Sequence, residues 1–208
     1  MGQKVNPYSF RLILNKNWQA KWFAPKSFKK FLGEDVNIRK IIKNNLPKAA
    51  VGSIDITRNR QEVMVNIYTS KPGIVIGRSG EGITKLKTML NKIITKGQVK
   101  INIFEIKNPE THAQLIAETI ALQIEKRIAF RRAIKQALAR AQERGATGIK
   151  VRIAGRLNGA EIARDESFSF GPMPLQTLRS KIDFAKVDAL TTYGVIGIKV
   201  WIYTANKE

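Results

Sequence analysis

Residues 75–83 read Val75-Ile76-Gly77-Arg78-Ser79-Gly80-Glu81-Gly82-Ile83, and this stretch decides how the chain around it folds. Gly77 and Gly80 are separated by two residues. They stand between a short apolar segment and a helix expected from about Gly80 to Thr95, where Ile83, Leu86, Leu90 and Ile93 recur at helical spacing. Glycine lets the backbone take positive φ and approach a ligand with no Cβ in the way. The first amides of the helix lack internal partners and carry the positive end of its dipole, so a phosphate suits this place. Arg78 adds a charged donor, and Val75, Ile76, Ile83 and Leu86 are expected to wall an apolar groove for bases. Other phosphate motifs fail. Ile83-Thr84 follows Gly82 where a P-loop needs Lys-Ser/Thr, and Lys85 stands where a dinucleotide fingerprint needs its third glycine. The plainer alternative is a helix-entry turn whose glycines only relieve backbone strain.

Upstream, Lys26–Leu32 and Glu34–Leu46 predict two helices, the second with Ile38, Ile41, Ile42 and Leu46 on one stripe and Pro47 as its stop. Ser53–Arg58 and Glu62–Thr69 alternate apolar and polar residues and predict a hairpin turning at Asn59-Arg60-Gln61. Gly73–Ile76 predicts a short apolar turn, and Val99–Ile106 a third strand after Gly97. The order is a helix, two strands, a glycine turn, a helix and a strand. It resembles the prokaryotic-type (type II) KH fold, whose GXXG loop holds a short nucleic-acid single strand along its backbone.

Asn108-Pro109-Glu110 marks the best boundary, with Asn108 placed to cap a new helix and Pro109 at its first position. That helix is expected to reach about Arg144, bending near Ile128–Phe130 and capped by Gly145. Gly148–Ala154, Ile162–Phe170, Arg179–Leu190 and Tyr193–Thr204 predict four strands, with turns at Gly155–Gly159 and Gly194. The expected class is α+β. An extended basic arm (residues 1–16, interrupted by Pro7) precedes N-terminal helices and a type II KH domain (17–107). A two-layer α+β domain (108–208) follows, with helices on one face of an antiparallel sheet.

Composition narrows the function. The 208 residues include 37 Lys and Arg against 16 Asp and Glu, a formal net charge of +21, and 43% hydrophobic residues. That is enough apolar material for a core and excludes a wholly disordered basic tail. The charge is uneven: residues 1–107 hold 21 basic and 6 acidic side chains, residues 108–208 hold 16 and 10. Such a field draws a polyanion without reading sequence and weakens with salt. Nucleic acid is the favoured partner, ahead of a membrane surface. The absence of Cys removes disulfides, thiolate metal sites and Cys nucleophiles, and a single histidine, His112, removes His-cluster zinc sites. The longest stretch free of charged residues, Ser167–Leu178, has twelve residues with two prolines. A spanning helix needs about 20 apolar residues, so no membrane segment is expected. The start of the chain lacks the apolar core of a secretion signal, which predicts an intracellular protein.

A second candidate site is Arg131-Arg132-Ala133-Ile134-Lys135-Gln136-Ala137-Leu138. On a helix Arg131, Arg132 and Lys135 share one side, while Phe130, Ile134, Leu138 and Ala141 share the adjoining one. A merely solvated basic face is the equal alternative. Arg156, Arg164 and Arg179 are candidates to extend the patch. No catalytic residue, metal site or cofactor is expected. Asp165 and Glu166 point to opposite sides of a strand, Asp183 and Asp188 stand isolated, and Ser167, Ser169 and Ser180 lack a nucleophile elbow. His112, in the first turn of a helix, reads as a surface or cap residue.

Together these stretches resemble the bacterial-type small-subunit ribosomal protein S-three family, organelles included. The resemblance runs over essentially the whole chain: Met1-Gly2-Gln3-Lys4-Val5-Asn6-Pro7, Arg11-Leu12, Gly73–Gly80, Arg131–Lys135, Gly155-Arg156-Leu157-Asn158-Gly159-Ala160-Glu161-Ile162-Ala163-Arg164, Pro174–Arg179 and Thr192–Gly197. It implies a place in the head of the small subunit, binding of its ribosomal RNA, and a share in lining the channel by which mRNA enters. Neighbouring ribosomal proteins complete that channel and pack on the C-terminal domain. Arg131, Arg132 and Lys135 match the family's basic residues that hold incoming mRNA and open its duplexes. Gly77, Arg78, Ser79 and Gly80 match its KH loop, and Lys4, Arg11, Arg156, Arg164 and Arg179 are the candidate ribosomal RNA contacts. The resemblance implies no cofactor, no membrane, no homo-oligomer, and a location on a cytoplasmic or organellar ribosome. The chain departs from the family at Ser9 and Ile13, where glycines are usual, and at Ser169-Phe170-Gly171-Pro172, where an Arg-Glu-Gly-Arg type run is common. A free-standing KH regulator or assembly factor would explain the glycine turn but not the motifs between 156 and 197. A nucleic-acid enzyme would need a nucleophile or carboxylate–metal cluster that the sequence does not offer.

Overall fold

A computed structural model describes residues 4–59, 61–94 and 97–205. The expected turn residue Arg60, the helix end at Thr95 and the motif start at Met1–Gln3 lie outside the described residues. The chain divides into two compact units. Trp18–Lys107 forms one; the residues up to Asn17 join those from Asn108 onward to form the other.

In place of the expected extended arm, a short helix α1 (Pro7–Phe10) is capped by Asn6, whose side chain accepts from the Tyr8 amide. Pro7 takes the first helical position, where a missing N–H costs nothing.

The unit Trp18–Lys107 holds β1 (Ala20–Lys21), α2 (Phe28–Asn45), β2 (Val51–Arg58), β3 (Glu62–Thr69), α3 (Pro72–Ile76), α4 (Glu81–Asn91) and β4 (Gln98–Glu105). Its sheet runs β1-β2-β3-β4, with β2 and β3 antiparallel and the two outer pairings parallel. Ile54, Ile56, Val63, Val65, Ile67 and Val99 face Ile38, Ile42, Val75, Leu86 and Leu90 in one core. The expected pair of early helices is a single helix running through Gly33. Just beyond it, Glu34 and Asp35 are buried against Arg58, at 2.6 and 2.5 Å, and the Trp22 indole donates to Asp35 at 2.8 Å. Removing one partner of such a buried ion cluster typically costs 3–5 kcal/mol, roughly, because the remaining charge is left uncompensated. These anchors outweigh the ~1 kcal/mol penalty of a glycine inside a helix. β1 is only two residues long, too short for any periodicity to reveal.

The second unit continues with α5 (Ala113–Glu125), α6 (Phe130–Glu143), β5 (Gly148–Gly155), β6 (Arg164–Phe170), β7 (Lys181–Thr191) and β8 (Gly194–Thr204). The expected α+β class holds. The sheet is antiparallel in the order β6-β5-β8-β7, and both helices pack on the face that carries Ile149, Val151, Ile153, Ile196, Ile198 and Val200. The expected bend in the long helix is a break at residues 126–129, where Arg127 takes φ 62°. Asn108 makes no side-chain cap. Asp183 on β7 does that work for α5, accepting from the Ala113 amide at 2.9 Å while its other oxygen pairs with Lys16 at 3.0 Å. Asp183 is therefore a hub and not the isolated carboxylate its sequence neighbours suggest. His112 is half-buried 3.9 Å from Asp183 and provides no side-chain cap.

Strand order puts β6 and β7 on opposite edges, so residues 171–180 must cross the sheet. They cross the face away from the helices: a Cβ on Gly148 would stand 2.0 Å from the Pro172 carbonyl oxygen. Arg11 holds this crossing. It is 1% exposed, and its guanidinium donates to the carbonyls of Ser180 (3.0 Å), Leu175 (2.8 Å), Thr177 (2.9 Å), Pro174 (3.3 Å) and Pro7 (3.3 Å). The ribosomal RNA contact expected of Arg11 is corrected here: a buried guanidinium spent on carbonyls is a brace. Hydrogen bonds of a charged donor contribute ~1.5–3 kcal/mol each, and leaving their buried acceptors unpaired adds to the loss. Arg11→Ala is expected to lower stability by about 3 kcal/mol or more, read as a lower thermal midpoint, and Arg11→Lys should recover little because one ammonium cannot reach so many acceptors.

Acid should weaken this corner. Burial alone would raise the Asp183 carboxyl, but Lys16, His112 and the Ala113 amide outweigh it and hold the group below its ordinary value. Burial also lowers His112, against the pull of Asp183. Both groups thus bind protons less tightly folded than unfolded, so stability falls as pH falls. The His112 share is lost below the unfolded value of about 6.5, and the Asp183 share below the ordinary carboxylate range. Thermal midpoints measured from neutral pH down to pH ~2 should drop in two stages, with His112→Gln removing the upper stage and Asp183→Asn the lower.

Candidate nucleic-acid interface

The glycine loop is built by backbone contact. α3 ends at Ile76; Gly77 takes φ 72°, Ser79 φ 51° and Gly80 φ 80°, and α4 begins at Glu81. The turn closes so tightly that a Cβ on Gly82 would lie 2.5 Å from the Val75 carbonyl oxygen, and one on Gly77 2.9 Å from the Gly82 nitrogen. Gly80 faces open space. Gly77, Arg78 and Ser79 are exposed, so the loop offers a cation and backbone to solvent beside the first turn of α4. The expected groove changes membership. Val75 and Leu86 are core residues, and the exposed apolar wall is Ile74 and Ile76, 46% and 40% exposed.

The second candidate lies on α6. Phe130, Ala133, Ile134 and Ala141 are buried, which turns Arg131, Arg132 and Lys135 outward, all exposed. Arg131 pairs with Glu166 at 3.0 Å, with its guanidinium 5.6 Å from the Phe130 ring centroid. Arg132 and Lys135 make no ion pair among the described residues. Arg131, Arg164, Glu166 and Asn158 line a cleft of about 210 Å³, so Arg164 joins this patch. Arg156 is drawn inward: it donates to the carbonyls of Ala160 (2.9 Å) and Tyr193 (3.4 Å) and holds the loop after β5. Lys4 and Arg179 are exposed and neither lines that cleft. A larger cleft of about 430 Å³ beside it is lined by Arg127, Arg156, Tyr193, Ile128 and Leu190. Sequence reading missed Arg127, because a non-glycine residue at positive φ between two helices leaves no compositional trace. Among the described residues no group of three His, Asp or Glu is placed to hold a metal ion.

Comparison with known proteins agrees with this division. The KH-domain family matches residues 37–111, and the family described as ribosomal protein S3, C-terminal domain, matches residues 120–202. The small ribosomal subunit protein uS3 of Pediococcus pentosaceus is 51% identical over 203 residues, covering 98% of this chain and 91% of that protein. Its counterparts in Clostridium perfringens and Streptococcus suis are each 52% identical, covering 99% and 98% of this chain and 93% of their own length. The chain belongs to the uS3 family. As a uS3 member it carries the KH loop in one unit and the α6 patch in the other, so each basic surface has its own rigid support.

The loop geometry selects the informative substitution. Changes at Gly77 or Gly82 would force backbone apart and report on folding. Gly80→Asn and Gly80→Asp have the same shape, and both residues tolerate the left-handed region better than most. A charge about 4 Å from a phosphate in water costs ~1 kcal/mol, roughly five-fold in affinity. Titration with single-stranded RNA should show Gly80→Asn near the parent and Gly80→Asp about five-fold weaker.

Proposed function

We propose that this chain is a structural constituent of the small ribosomal subunit that binds ribosomal RNA in the head and helps line the channel by which mRNA enters. The observation that carries the reading is the 51–52% identity, over 98% or more of the chain, to proteins named as small ribosomal subunit protein uS3. The excess of cations, +21 formally, supplies the sequence-independent attraction such a role needs. The family is one of structural proteins and not of enzymes. The ribosome is its location, and its partners are ribosomal RNA, mRNA and neighbouring ribosomal proteins, with the chain present as a single copy. No helix among the described residues is long and apolar enough to cross a membrane.

In this reading the α6 patch grips the incoming strand. Arg132 and Lys135 are free to meet phosphates, whereas Arg131 is partly neutralised by Glu166 at 3.0 Å. Electrostatic attraction holds the strand on α6, and a rigid helix lets the ribosome's own translocation pull duplexes apart against it.

Sedimentation tests the class. The chain in native extract should peak with small subunits and whole ribosomes in moderate salt; recovery only in light fractions would favour a free-standing KH regulator. The patch has its own test. Ribosomes carrying Arg132→Ala with Lys135→Ala should assemble normally yet slow at a stable mRNA hairpin, more than those carrying Arg131→Ala. Equal rates through the hairpin would remove this role.

A further inference from the structure

The face of the C-terminal sheet away from α5 and α6 carries a row of cations that neither basic surface above uses. Strand register sets it: Lys186 on β7 lies directly opposite Lys199 on β8, Lys199 opposite Arg152 on β5, and Arg152 opposite Ser167 on β6. All four are exposed. Their side chains alternate with the core residues Ile198, Val200, Val151 and Ile153, so they point away from the helices. In the next row Phe184, Trp201 and Lys150 stand side by side, the two rings 5.3 Å apart. The chain crossing at Pro172 roofs the sheet at Gly148, and Trp201 in the neighbouring row is buried, whereas the row of Lys186, Lys199 and Arg152 lies open.

Stability does not explain the row. Neighbouring strands lie ~4.8 Å apart, and like charges directly opposite each other destabilise a sheet. Asp165 compensates Arg152 at 2.8 Å, but Lys186 and Lys199 make no ion pair among the described residues, and Asp188 on the same face reaches neither. Guarding an edge strand against pairing would need Lys186 alone. Lys199 and Arg152 sit on the two inner strands, where no edge needs guarding. An open row of three cations, two of them without an ion pair among the described residues, suits a phosphate backbone.

We propose that this open sheet face is a second RNA-binding surface of the C-terminal domain, with Lys186, Lys199 and Arg152 taking successive phosphates. It is separate from the α6 patch, which lies on the helix side, and it lets one domain hold two RNA segments at once. The inference rests on the chain being an RNA-binding protein.

The test is the full chain with Lys186→Gln and Lys199→Gln, titrated with a short oligouridylate over a range of salt. Each phosphate contact on a single strand contributes ~0.7 to the salt slope, so the slope should shrink by about 1.4. The thermal midpoint should hold or rise, since a repulsive pair is gone; this separates lost contact from lost fold. Ultraviolet crosslinking of the parent should mark the peptides that carry Lys186 and Lys199. An unchanged slope in a parent that binds RNA overturns this surface alone. A parent that binds no RNA overturns the proposed function, and this surface with it.

Discussion

Everything in the C-terminal unit hangs on one buried guanidinium. The strand order β6-β5-β8-β7 forces residues 171–180 to travel from one edge of the sheet to the other, and a travelling segment leaves carbonyls without ladder partners. Arg11 collects four of them, those of Pro174, Leu175, Thr177 and Ser180, and so closes the account of buried acceptors that any such crossing opens. With the crossing fixed, β7 is fixed. Its Asp183 then sets the start of α5, and α5 with β7 and β8 forms the core on which α6 rests. A residue that looks like surface charge in the sequence is the keystone of a domain whose outer surfaces carry the unpaired cations.

The same economy governs the rest of the charge. Carboxylates are used for construction: Glu34 and Asp35 on Arg58, Asp183 on Lys16, Glu166 on Arg131, Glu110 on Arg144. With the acids committed in this way, the surplus cations remain unpaired on exposed faces, where their field is available to a polyanion. The glycine loop shows the complementary device. Its shape is set by backbone meeting backbone at Gly77 and Gly82, so it exists before any ligand arrives and little ordering has to accompany binding.

Much of this was legible in the residues. Alternation in Val63, Val65 and Ile67 marked a strand, Gly77 and Gly80 marked a turn at positive φ, and the spacing of Phe130, Ile134 and Ala141 turned Arg131, Arg132 and Lys135 to one side. These are local signals, carried by period and by glycine's freedom. What was not legible depends on partners far along the chain. Nothing near Arg11 announces that its acceptors stand 163–169 residues away. Nothing near Gly33 announces that buried ion pairs to Arg58 carry the helix through it. Asp183 looked isolated because its partners, Lys16 and Ala113, come from two other segments. The opposed lysines on the sheet's outer face needed the register itself, which a sequence pattern does not specify for strands that are not neighbours in the chain.

The reach of Arg11 also orders events in time. During synthesis residues 7–16 emerge long before the strands and the crossing segment they must hold, and the Trp18–Lys107 unit is complete between the two. The nascent arm therefore waits, cationic and unpaired, until residue 183 is available. The C-terminal unit closes late, by long-range contacts that form slowly. Truncation of the last strands would thus undo an arm at the other end of the chain.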